Sequence, residues 1–190
     1  MKPALIIKLV LATFFASFGA NAVSYGVPSV AGNGCPASNA LFTRVPNQAN
    51  RYNLVNRIAL VKGSNPAVAR KTCLFRLPVK LAANERLVVS NVSQSVNLMA
   101  DKGTTMQTSL EIFFAGQHGN PLTAQLKGVT SASRTSQVLE ARGVVAQSAC
   151  GQDVILSGNL AASSVGLARG SAITGDVQLN IQTESCNRNH

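Results

Sequence analysis

The amino-acid sequence predicts an all-β chain folded as a single antiparallel β-sandwich, jelly-roll or Ig-like, closed by two disulfides. Three observations predict it. Apolar and polar residues alternate over many short windows, the period-two signature of half-buried strands. Turn-forming clusters such as Gly63-Ser64-Asn65-Pro66, Asp101-Lys102-Gly103 and His118-Gly119-Asn120-Pro121 separate those windows. The cysteine count is even, at 4, and no window carries a capped helical stripe. At 46% hydrophobic and 13% charged the chain has the composition of a folded body, far from the polar, highly charged composition of disordered segments.

Residues 1–22 read as a cleaved signal peptide. Lys2 supplies the positive start, Ala4 to Ala16 a short apolar run broken only by Lys8 and Thr13, and Ala20-Asn21-Ala22 the small-x-small cleavage site. A membrane anchor is the competing reading, but the run falls short of the roughly 18 uninterrupted apolar residues that a spanning helix needs. The mature chain then begins at Val23, with no later segment of spanning length. The expected location is extracellular or periplasmic.

Residues 23–39 form an extended leader, because Gly26, Pro28, Gly32, Gly34 and Pro36 exclude a helix. Residues 40–190 form the sandwich. In C-L-F-R-L-P-V-K-L, Cys73, Phe75, Leu77, Val79 and Leu81 share one face, and Leu74, Arg76, Pro78 and Lys80 the other. Cys73 is expected to start this strand on its inward face. Pro78 lacks a ladder donor, so the strand should lie at an edge or break there. Further strands are expected near 41–45, 54–62, 86–92, 95–98, 108–115, 122–129, 136–145, 153–160, 171–173 and 177–183. The clearest is the last, where Val177, Leu179, Ile181 and Thr183 alternate with Gln178, Asn180 and Gln182.

Cys35, Cys73, Cys150 and Cys186 all lie in the exported part, where an oxidising compartment favours disulfides. Zinc is the alternative, but no C-x₂₋₄-C spacing exists and His118 and His190 fit no finger pattern. Of three possible pairings the sequential one, Cys35–Cys73 and Cys150–Cys186, is the simplest. Each such crosslink would stabilise the fold by about 3–4 kcal/mol in the chain-entropy model.

The junctions around these cysteines carry a resemblance. G-N-G-C-P-A-S at 32–38, A-R-K-T-C-L-F-R-L-P-V-K-L at 69–81, S-A-C-G at 148–151 and a closing strand ending at Cys186 stand in one order. Together they resemble the secreted four-cysteine family catalogued as domain of unknown function 4360, across nearly the whole mature chain. The chain departs from it in lacking a Trp-containing ending. The resemblance implies a secreted, disulfide-bonded β domain and implies no activity.

Catalytic signals are thin. A Ser-His-Asp triad would need His118, which sits in a turn cluster, and neither G-x-S-x-G nor H-E-x-x-H occurs. The acidic residues Glu85, Asp101, Glu111, Glu140, Asp153, Asp176 and Glu184 lie in polar company that suits solubilising charges. A calcium loop of the D-x-D-x-D type is also missing. The sequence therefore assigns no catalytic residue, metal site or cofactor.

Charge is the asymmetric feature. The full chain carries a formal +10. Between residues 40 and 90, Arg44, Arg51, Arg57, Lys62, Arg70, Lys71, Arg76, Lys80 and Arg86 face only Glu85, whereas cations and anions balance from residue 91 onward. If these strands adjoin, Arg57, Arg70, Lys71, Arg76 and Lys80 would make one positive face for anionic cell-surface glycans or other polyanions. With no Trp, and only Phe42, Tyr52 and Phe75 nearby, base-specific nucleic-acid recognition is not expected. The first expectation is a non-catalytic interaction module of the cell envelope or its surroundings. The alternatives are an extracellular hydrolase with a carboxylate pair, and a pilin-like subunit whose leader serves a neighbour as donor strand.

Overall fold

The computed structural model describes residues 23–35, 41–55 and 57–186. The expected signal peptide, and residues 36–39 of the leader, lie outside the described residues. In chain order the strands are β1 (Ser24–Tyr25), β2 (Ser29–Ala31), β3 (Leu41–Arg44), β4 (Arg51–Val55), β5 (Ala59–Lys62), β6 (Val68–Lys80), β7 (Glu85–Ala100), β8 (Thr104–Phe114), β9 (Leu122–Lys127), β10 (Ser133–Gln147), β11 (Val154–Gly166) and β12 (Gly170–Ser185). They form two six-stranded sheets. The first runs β1–β6–β11–β8–β9, with β2 also on β6; the second runs β10–β7–β12–β4–β3, with β5 also on β12. The pairings between these strands are antiparallel. The chain crosses between sheets at each connection from β6 to β12 except the β8–β9 hairpin, so the sandwich is covalently laced along its length.

The core is what the alternation demands. Cys73, Phe75, Leu77 and Val79 of β6, Leu110, Ile112 and Phe114 of β8, Leu156 and Leu160 of β11, and Val177, Leu179 and Ile181 of β12 are all buried between the sheets. One position is shaped around its neighbour. Gly158 of β11 pairs with both Phe75 and Ile112, and a Cβ there would lie 2.0 Å from Phe75 Cε1. Glycine is the residue that leaves room for the ring.

Three expected strand boundaries are corrected. The windows 86–92 and 95–98 belong to one strand, β7. Near Ser90–Asn91 the inward positions change from Leu87 and Val89 to Val92, Val96 and Leu98. Asn91 takes φ 48° there, and its Oδ1 accepts from Gly143 N at 3.2 Å, on β10, where the register also shifts. Windows 171–173 and 177–183 are likewise one strand, β12, with its irregularity between Thr174 and Val177. Opposite that irregularity the expected strand 54–62 splits into β4 and β5. Ile58 and Thr174 tie the gap together, Ile58 N donating to Thr174 Oγ1 at 2.9 Å and Thr174 N to Ile58 O at 3.0 Å.

Two expectations about the Cys73 strand are corrected as well. β6 starts at Val68, so Cys73 lies mid-strand. Nor is β6 an edge or broken at Pro78, since the leader covers its outer side. Pro78 O accepts from Gly26 N at 2.8 Å. In a strand the N and C=O of one residue point to the same side, so the missing Pro78 donor also faces the leader. The leader pairs at Ser24–Tyr25 and again at Ser29–Ala31, and is interrupted between them where Pro78 cannot donate.

Both disulfides are closed in the expected pairing, Cys35–Cys73 with Cα atoms 4.7 Å apart and Cys150–Cys186 with 6.1 Å. The first ties the leader to mid-β6, helped by Gly34 N donating to Thr72 O at 2.9 Å. Tyr25 of the leader then reaches the second sheet, its ring centroid 5.4 Å from those of both Phe42 and Tyr52. Burial, and next a hydrogen bond with Tyr52, push the Tyr25 hydroxyl well above the usual tyrosine range.

Candidate anion-binding face

The five candidate cations do not share one face. On β6 the outward positions are Val68, Arg70, Thr72, Leu74, Arg76, Pro78 and Lys80, of which Val68, Arg70, Arg76, Pro78 and Lys80 are exposed. Lys71 has the parity of Cys73 and points the other way; its Nζ donates to Ala59 O on β5 at 2.8 Å, bridging the sheets. Arg57 lies on the second sheet, between β4 and β5, in a bidentate pair with Asp176 at 2.7 and 2.8 Å. That carboxylate's hydrogen bonds and charge hold the Arg57 guanidinium still further above its ordinary range.

Other cations of the basic half are also occupied. Lys62 is 3% exposed and donates to the carbonyls of Gly63 and Ala168 at 3.0 and 2.9 Å. Arg86 pairs with Glu184 at 2.7 Å. The charge excess is therefore spread over both sheets and the interior. What remains as a row is Arg70, Arg76 and Lys80, none of which pairs with a carboxylate among the described residues.

Their surroundings follow from register. Across the first sheet, Arg76 stands opposite Ser157 of β11, which stands opposite Phe113 of β8. Ser29 of β2 flanks Arg76 on the other side, and Ser24 of β1 flanks Lys80. Leu74, Ile155, Phe113 and the 4%-exposed Ser157 line a depression of about 380 Å³ beside the Arg76 guanidinium. Arg70 faces Ser163, with Gln107 and Gln125 beyond it. Lys127 on β9 adds a cation to the same face. Glu111 is the acid on this face, and its Oε1 accepts from Gly119 N at 3.0 Å. Asp153 immediately precedes β11 at the Lys80 end.

Sequence reading missed Phe113, Ile155 and Lys127 as parts of this face. A signal existed for Phe113, since Leu110, Ile112 and Phe114 take the inward positions and leave an aromatic ring on the outward parity. Among the described residues no group of three or more His, Cys, Asp or Glu could hold a metal ion. The acids are instead dispersed: Asp176, Glu184 and Glu140 each pair with an arginine, and Glu111 caps a backbone N–H. The leader's strand hydrogen bonds go to β6 of its own chain.

These features define a disulfide-bonded, two-sheet antiparallel β-sandwich. The chain belongs to the family described as Domain of unknown function (DUF4360), whose model matches residues 22–187. No curated protein matches it. Among solved structures it is similar to TmCBM61 in complex with beta-1,4-galactotriose, at 13% identity over 83% of this chain and 88% of that one, with a TM-score of 0.26. It is also similar to a family 11 carbohydrate-binding module from Clostridium thermocellum in complex with a beta-1,3-1,4-mixed-linked tetrasaccharide. There the identity is 6%, the coverage 84% and 87%, and the TM-score 0.23. Likenesses at this level carry no argument about a ligand.

Proposed function

We propose that the mature chain is a secreted, non-catalytic interaction module that holds anionic polymers, such as the acidic glycans of a cell envelope, against the outer face of its first sheet. The observation that carries this reading is the row of Arg70, Arg76 and Lys80, outward on one strand and free of carboxylate partners among the described residues. Spacing decides what kind of anion the row suits. At about 3.3 Å per residue, Arg76 and Lys80 stand roughly 13 Å apart and Arg70 and Arg76 roughly 20 Å. Both distances exceed the screening length of about 8 Å at physiological salt. A small anion would feel one cation at a time, whereas an extended polyanion touches all three. Closed disulfides support an oxidising destination.

The test compares dextran sulfate with uncharged dextran, both immobilised. Wild-type protein should be retained by the sulfated polymer, and R70S/R76S/K80S should bind it at least tenfold more weakly while melting within a few degrees of wild type. Equal binding by the triple variant, or no preference for the sulfated polymer, overturns the proposal.

A further inference from the structure

The second sheet carries a different surface on its outer face. On β7 the side chains of Ser93, Ser95, Asn97 and Met99 point outward in succession. Register places Glu140, Val138, Ser136 and Arg134 of β10 beside them in that order. On the other side β12 brings Gln178 beside Ser93, Ile173 beside Asn97 and Ser171 beside Met99, with the Gly175–Asp176 irregularity next to Ser95. Polar side chains thus occupy the middle strand as far as Asn97, with Met99 at its end, and the flanks carry Glu140, Val138, Gln178, Ile173 and Arg134 together with the short Ser136 and Ser171. Two depressions result, of about 390 Å³ at the Ser93–Ser95 end and about 420 Å³ at the Asn97–Met99 end. They share no lining residue but follow one another along the outward positions of β7, in a trough-like line roughly 20 Å long from Ser93 to Met99.

From this trough we infer a second binding site, for an uncharged polysaccharide chain. The chemistry of the lining selects that class. From Ser93 to Asn97 its floor is hydroxyl and amide, groups that both donate and accept, as sugar hydroxyls do. Arg57 and Asp176 pair across the wall and Glu140 pairs with Arg142, which leaves Arg134 at the Met99 end as its one unpaired charge among the described residues. Val138, 62% exposed, and Ile173, 48% exposed, offer apolar strips to the C–H faces of sugar rings. Two polar atoms also lack partners. Gln94, 2% exposed, has the inward parity of β7 behind the Ser93–Ser95 depression; its Nε2 donates to Gly175 O at 3.0 Å, while its Oε1 has no hydrogen bond. The Oδ1 of Asn53, the β4 residue beside Gln178, is buried and unpaired in the same way. Asn53 shares the outward parity of Gln178 and Ser93, so a hydroxyl donor entering beside Gln178 would satisfy its oxygen. The two sites would lie on opposite outer faces, so one molecule could join an acidic polymer to a neutral one.

Binding of uncharged hexasaccharides of glucose, xylose, mannose and galactose, measured by calorimetry at 0.5 M NaCl, tests the inference. At least one should bind. S95A and N97A remove exposed side chains with no hydrogen bond among the described residues, and each should weaken that binding about 3–10-fold, the effect of one lost hydrogen bond. R70S/R76S/K80S should leave it unchanged, which separates this site from the cation row. Binding by no hexasaccharide, binding that S95A and N97A leave intact, or capture of unstructured peptides in place of sugars would each overturn it.

Discussion

Replacing Gly158 by alanine should destabilise the protein through one identifiable contact. The added methyl would sit 2.0 Å from Phe75 Cε1, 2.5 Å from Cζ and 2.9 Å from Ile112 Cδ1. Carbon atoms in contact stay about 3.5–4.0 Å apart, so the ring would have to move by more than 1 Å. Phe75 is 1% exposed and Ile112 2%, and neither has solvent to retreat into. Overpacking of this kind costs about 1–3 kcal/mol. It is offset by less than 1 kcal/mol from the reduced freedom of the unfolded chain. At a net of about 2 kcal/mol, the melting temperature should fall by roughly 4–8 °C for a domain of this size. Guanidinium unfolding of the oxidised protein measures the loss. The diagnostic comparison is the cycle with F75L, which removes the ring atoms that clash. G158A/F75L should be more stable than the sum of the single losses implies, by at least about 1 kcal/mol. Additive losses, or a G158A protein as stable as wild type, would refute the idea that Gly158 is a socket for the Phe75 ring.

Removing the leader disulfide with C35A/C73A should cost about 4 kcal/mol, since the bond closes a loop with a sequence separation of 38. Amide exchange should rise first in residues 23–35, which only short strand pairings then hold to β6. The raised Tyr25 hydroxyl makes a prediction in alkali. In the unfolded chain this tyrosine loses its proton near pH 10 while the folded one keeps it. The unfolded state then binds fewer protons, and stability falls as pH rises above about 10. Y25F should show a shallower loss over that range in urea melts, and an identical pH profile would contradict the assignment.

Much of the sandwich was legible because alternation and burial coincide, as in Val177, Leu179 and Ile181, and the sequential cysteine pairing is the one the structure closes. The bulges were not. The irregularity at Gly175–Asp176 shifts the register, and in sequence it looks like the end of one strand and the start of another, whereas the expected window 86–92 ran across the Asn91 bulge unbroken. Part of the cation row was readable in principle: Arg70 and Lys71 are adjacent, so parity alone sends them to opposite sides of β6. The pairing of Arg57 with Asp176, 119 positions away, depends on sheet register and leaves no local trace. The same holds for the trough, whose three columns come from β10, β7 and β12.

The central claim, that the row on β6 holds extended polyanions, is tested most directly by the salt dependence of wild-type affinity for dextran sulfate. Three cations in contact with a flexible anionic chain should give log affinity a slope of about −2 against log salt concentration, reduced toward zero in R70S/R76S/K80S. An affinity that does not change between 50 and 500 mM NaCl, or the same slope in the triple variant, would contradict it.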